Sequence, residues 1–175
     1  MHQPLIHTLK GTFNAAALAL ALGSVSLSAS ALDAGQAAPD IELGAGPGAE
    51  KLSKLKGKLV YVDFWASWCG PCRQSFPWMN EMQGKYGSKG LQIVGISLDA
   101  KRADADQFLA QVPAKFTVGF DAKGDSAKQF GVKGMPTSVL IGPDGKVLAV
   151  HQGFKDEDRK ELEAKFVNAL GALAK

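Results

Sequence analysis

From residue 59 onward, apolar positions along the chain follow two alternating rhythms. Leu59-Val60-Tyr61-Val62-Asp63-Phe64-Trp65 is a nearly unbroken run of apolar, β-branched and aromatic residues. That is the pattern of a strand buried on both faces, in a sheet covered by helices. Cys72, Phe76, Met79, Met82 and Tyr86 then recur at helical steps, the stripe of an amphipathic helix. Pro77 falls inside the stripe and predicts a kink, while Gly84 and Gly87 predict a loosened end. Leu91–Leu98 reads as a second strand. Ala105, Phe108, Leu109 and Val112 mark a second helix closed by Pro113, and Phe116–Phe120 a short third strand. After a brief helical stretch at Ser126–Phe130, Thr137–Ile141 and Lys146–His151 flank Gly142-Pro143-Asp144-Gly145, which predicts an antiparallel hairpin. Leu162, Phe166, Ala169, Leu170 and Leu173 mark a closing helix, with Asp156, Glu157 and Asp158 at its dipole-favoured start. Strand–helix alternation ending in a hairpin and a helix predicts an α/β fold: a mixed sheet with helices on both faces.

The N-terminal region follows neither rhythm. Residues 1–31 carry a single charge, Lys10, then an apolar stretch Phe13–Leu22, and end in Ala29-Ser30-Ala31. The apolar core of about ten residues is too short to span a bilayer of roughly 30 Å as a helix. The A-x-A ending has the form of a signal-peptidase site. We therefore expect 1–31 to be a cleaved signal peptide and 32–175 a single domain exported to the periplasm. An uncleaved anchor and an N-terminal helix of the fold are the alternatives. Leu32–Asp40 reads as a polar lead-in and 44–48 as a turn-rich loop. The 175 residues are 46% hydrophobic with a net charge of +3. This composition excludes a collagenous or wholly disordered chain, and so small and scattered a charge gives no nucleic-acid footprint.

The chain has two cysteines, in Trp68-Cys69-Gly70-Pro71-Cys72, directly after the first strand and at the start of the first helix. A helix N-terminus presents unpaired N–H groups and about half a positive charge, both favouring thiolate over thiol. The dipole is worth ~0.3–2 kcal/mol, roughly a tenfold bias. A three-residue offset lets the two sulfurs form and break a disulfide with little backbone motion. Pro71 suits the first helical turn, where its missing N–H costs nothing. A zinc site needs about four ligands, whereas the domain offers two cysteines and His151. Covalent haem attachment needs His after the second cysteine, and Arg73 stands there. A structural disulfide closing so small a loop constrains the unfolded chain least. A redox-active dithiol is the expected chemistry, with no metal and no cofactor.

Val62–Cys72 resembles the active-site strand and helix start of thioredoxins. Pro77 matches that fold's helix-kinking proline, and Gly131–Thr137 is similar to the segment holding its cis-proline. Gly35–Leu43 resembles the N-terminal extension shared by exported TlpA/ResA-like reductases and peroxiredoxins. Together these cover most of residues 35–170. The resemblance implies a three-layer thioredoxin-like fold with an N-terminal extension and a central insertion. It implies that Cys69 is the exposed nucleophile and Cys72 the buried resolving thiol, the two-step route of thiol–disulfide exchange. It also implies that Asp63 moves protons to and from Cys72. A carboxylate inside an apolar strand is desolvated, which raises its pKa and suits that task; the other reading of Asp63 is a strand residue facing water. Met135 and Pro136, with a cis bond between them, would form a ledge for an extended substrate, beside Trp68, Gly70 and Pro71. Trp65, Met79 and Met82 read as core, and Trp78 receives no role.

The same resemblance, with the Gly70-Pro71 pair, implies a periplasmic reductase of protein disulfides recharged by a transmembrane thiol donor. Apocytochrome c thiols, and with them cytochrome c biogenesis, or copper-site assembly proteins are the implied clients. Ser75 and Thr137-Ser138 stand where some relatives carry acids, which leaves the selectivity tied to those acids open. The rival readings are a peroxiredoxin-like peroxidase, an oxidant of folding proteins, and a copper or thiol chaperone.

Overall fold

The computed structural model describes residues 32–44 and 50–173; the expected signal peptide and residues 45–48 of the turn-rich loop lie outside the described residues. Five strands form one sheet in the order β3-β2-β1-β4-β5. β1 (Leu59–Trp65) is central, pairs in parallel with β2 (Leu91–Ser97) and antiparallel with β4 (Thr137–Ile141). β3 (Thr117–Phe120) lies parallel on the edge beside β2, and β5 (Val147–Gln152) closes the hairpin with β4. The helices are α1 (Gly70–Tyr86), α2 (Arg102–Gln111), α3 (Asp125–Gln129) and α4 (Asp158–Leu173). The expected mixed α/β architecture is present, and β1 and β4 run over the residues that the apolar pattern marks. Every residue of both is buried, which is why the pattern is so clear.

Side chains alternate across a strand, and β1 shows the result. Leu59, Tyr61 and Trp65 point into one core with Phe76, Trp78, Met79 and Met82 of α1, Phe108 of α2 and Phe166 of α4. Val60, Val62 and Phe64 point into a second core with Val94, Ile96, Val139, Ile141 and, from α3, Ala127. Trp78, without an expected role, stacks on Phe166 and meets Tyr61 edge-on. Met79 and Met82 are buried, as expected of core residues.

Two sequence expectations are corrected. α1 continues through Gly84 to Tyr86, and a 3-10 turn at Gly87–Lys89 follows; burial of Met82 and Tyr86 holds the last turn in place. The segment before β1 is more than a polar lead-in: Ile41, Leu43, Leu52 and Leu55 all enter the second core. Ala37 pairs with Lys146 and Glu42 with Lys51 as isolated bridges, so this segment lies over the sheet and joins the hairpin turn. It comes so close to β3 that a Cβ on Gly119 would collide with the Leu43 carbonyl.

Candidate active site

Cys69 and Cys72 are joined as a disulfide, with their Cα atoms 5.3 Å apart. Cys69 is the N-cap of α1: its backbone is extended, and its sulfur accepts a hydrogen bond from the Cys72 N–H at 3.3 Å. A first-turn N–H that the helix itself leaves unpaired is therefore aimed at one sulfur, an arrangement that stabilises a thiolate after reduction. The exposed nucleophile expected at Cys69 is shielded in this oxidised state, being only 5% exposed; Cys72 is fully buried. Access is set by the rim, where Trp68 is 73% exposed and Gly70 and Pro71 also face solvent.

A polar clamp positions this rim. Asp99, just past β2, accepts hydrogen bonds from the Ser67 N–H at 2.9 Å, the Ser67 hydroxyl at 2.7 Å and the Ser97 hydroxyl at 2.9 Å. Ser67 is thereby pinned two residues before Cys69. Neither Ser67 nor Asp99 was marked by the sequence, because each reads alone as an ordinary loop residue and their pairing spans 32 positions.

Asp63 alternates with Tyr61 and Trp65 on β1 and so lies on the α1 face of the sheet, the face that receives Cys72. It is 2% exposed, which disposes of the water-facing reading. Burial pushes its carboxyl well above the usual carboxylate range, and Oδ2 has no hydrogen-bond partner. Desolvation of this kind disfavours the ionised carboxyl and so suits the group to exchange a proton with a neighbouring thiol.

The Met135–Pro136 peptide bond is cis. Pro136 is buried and its carbonyl accepts from the Gly153 N–H at 2.8 Å. Met135 is half-buried and packs against the cluster that holds both cysteines. Cys69, Cys72 and Met135 thus meet in one apolar neighbourhood. Among the described residues, no group of three or more His, Cys, Asp or Glu side chains is placed to hold a metal ion.

Residues 33–166 match the family model named Redoxin. The chain belongs to the redoxin family. It is 38% identical over 120 residues to the thiol-disulfide oxidoreductase ResA of Bacillus thuringiensis subsp. konkukian, covering 69% of this chain and 68% of that one. The ResA of Oceanobacillus iheyensis is 36% identical over 132 residues, 73% of this chain and 69% of its own. A crystal structure from Chlorobium tepidum, of a protein assigned as the thiol:disulfide interchange protein DsbE, superposes with a TM-score of 0.77 at 58% identity. That match covers 80% of this chain and 99% of the other. Within the redoxin family the chain is thus a ResA/DsbE-like thiol-disulfide oxidoreductase of the thioredoxin superfamily, acting through the Cys69–Cys72 pair.

Proposed function

We propose that the protein is a periplasmic reductase of protein disulfides, with Cys69 attacking and Cys72 resolving. The Cys69 thiolate attacks one sulfur of the client disulfide, whose S–S bond breaks and releases a client thiolate. Cys72 passes its proton to the Asp63 carboxylate. The resulting thiolate attacks the Cys69 sulfur, breaking the mixed disulfide, releasing the second client thiolate and leaving the Cys69–Cys72 bond. Two electrons pass from the dithiol to the client. The observation that carries this reading is the Cys69 sulfur seated as the cap of α1 on the Cys72 N–H, on the same side of the sheet as the buried Asp63, whose raised pKa suits it to take up a proton.

Trp68, Gly70, Pro71, Met135 and Pro136 are the proposed client-binding residues. Trp68, Gly70 and Pro71 are exposed beside Cys69 in the chain and the half-buried Met135 packs against the cluster that holds both cysteines, which supports this reading. Residues 1–31 serve as the export signal on this reading, with cleavage after Ala31. Recharging requires a transmembrane dithiol donor, because the periplasm is kept oxidising; apocytochrome c or copper-site assembly proteins are the proposed clients.

Reduction of insulin disulfides by residues 32–175 tests the proposal. Wild type turns over, Cys69→Ser does not, and Cys72→Ser accumulates a mixed disulfide detectable by mass spectrometry. Equilibration with glutathione tests direction: a potential nearer roughly −270 mV than about −120 mV marks a reductant. Undiminished turnover by Cys69→Ser overturns the mechanism.

A further inference from the structure

Asp63 is sealed in the interior, so the proton it takes from Cys72 needs a way out before the next cycle. The cysteine side is a poor exit, because a bound client covers Cys69 at the moment of transfer. The sheet offers another. Asp63 on β1 stands directly opposite Ser138 on β4, and Ser138 stands directly opposite His151 on β5. Residues opposite one another in antiparallel strands point to the same face, with side chains ~5 Å apart. The neighbouring row, Tyr61–Leu140–Ala149, packs into the α1 and α4 core, which fixes the face. Three polar side chains therefore run in line from the buried acid to the edge of the sheet.

The polar groups along this row are poised rather than spent. Asp63 Oδ2 and His151 Nε2 both lack hydrogen-bond partners. Ser138 Oγ accepts the Tyr61 hydroxyl at 2.7 Å, which leaves its own proton to be donated. Tyr61, Ser138 and His151 border a small cavity of about 10 Å³, close to the space one water requires. The His151 side chain is 21% exposed, although its Nε2 is buried, 3.4 Å from Asp158 Oδ2 at the start of α4. The charged and titratable groups around the row are Tyr61 from β1 and Asp158, Glu161 and Lys165 from α4. Glu161 and Lys165 pair with each other at 2.8 Å, so the carboxylate aimed at the imidazole is that of Asp158.

We propose that Ser138 and His151 are positioning residues for the redox reaction, forming with Asp63 a proton conduit that runs across the sheet to solvent beside Asp158. The proposal rests on the reading of Asp63 as proton acceptor of Cys72. In the oxidative half-cycle the proton leaves Asp63, crosses the Ser138 hydroxyl and its adjoining cavity to the His151 imidazole, and departs to solvent. It returns by the same row when Cys72 is regenerated as a thiol. No electrons move along the row.

Stopped-flow measurement of the two exchange steps between pH 5 and 9 tests this on the mature chain, with Asp63→Asn, Ser138→Ala and His151→Leu beside wild type. His151→Leu is expected to slow resolution of the mixed disulfide about tenfold, leaving mixed-disulfide formation unchanged; added imidazole is expected to restore part of the loss. Ser138→Ala should act in the same direction. His151→Gln carries the same test should the leucine variant not fold, as judged by thermal melting. Resolution by His151→Leu at the wild-type rate at every pH overturns the conduit, as does a slowed rate that imidazole does not recover. If Asp63→Asn slows resolution while both row variants do not, the conduit alone falls. If Asp63→Asn has no effect, the acid–base reading beneath it falls too.

Discussion

The two faces of the sheet are made by the same strands yet are built to different ends. On the face under α3 and the N-terminal segment, Val60, Val62, Phe64, Val94, Ile96, Val139 and Ile141 form an apolar layer, and its polar residues Gln92 and Thr137 stand at strand ends. On the face under α1 and α4, residues one step along carry Tyr61, Asp63, Ser138 and His151, the last beside the start of α4. A single residue of register separates a layer that only holds the fold from one that also handles protons and sulfur. The chemical face gives up stability for function, because a buried acid without partners costs free energy, and the apolar face compensates.

The comparison is broken most forcefully on the apolar side. Phe64→Ala, removing a fully buried ring packed on Phe130, is expected to cost ~3–5 kcal/mol in denaturant unfolding. The Cys69–Cys72 potential should stay put; a large shift would show that the faces are not independent. On the chemical side, Asp63→Asn should slow turnover about a hundredfold, within the usual range for a positioned acid–base group, yet make the protein more stable. The sign follows from proton uptake: with its carboxyl raised by burial, the native state holds a proton that the unfolded state releases near its ordinary value of 3.8. Wild-type stability therefore falls as pH rises above about 4 until the native carboxyl itself ionises. Melting curves should show little gain for the asparagine variant below that pH and a growing gain above it.

Smaller effects sharpen the picture at the rim. Asp99→Ala strips two acceptors from Ser67 and one from Ser97. We expect a loss of ~1–3 kcal/mol and faster amide exchange confined to residues 66–69. Breaking the exposed Arg102–Asp106 pair should change stability by less than about 0.5 kcal/mol, and a larger effect would mean that α2 is held differently.

Much of this was legible in the sequence, for identifiable reasons. β1 and α1 stand out because both are nearly all apolar on the sides they bury, and the cysteine pair sits at their junction. Asp63 is conspicuous as the one charge inside a buried strand. Ile41 and Leu43 were missed because two apolar residues amid Gly, Pro and acids are too few to establish a period. Ser138 and His151 gain meaning only through the pairing of β1 with β4 and β4 with β5, which no local pattern encodes. The Ser67–Asp99 clamp was hidden likewise by long-range contact.

The lead-in segment also decides how the domain presents itself. Gly35 and Ala38 donate to the carbonyls of Val147 and Gly145, beside the start of β1, whereas the cysteines follow its far end, ~20 Å away along seven residues. A tether or solid support attached ahead of Leu32 therefore meets the molecule at its opposite pole and leaves the reactive tip aimed outward.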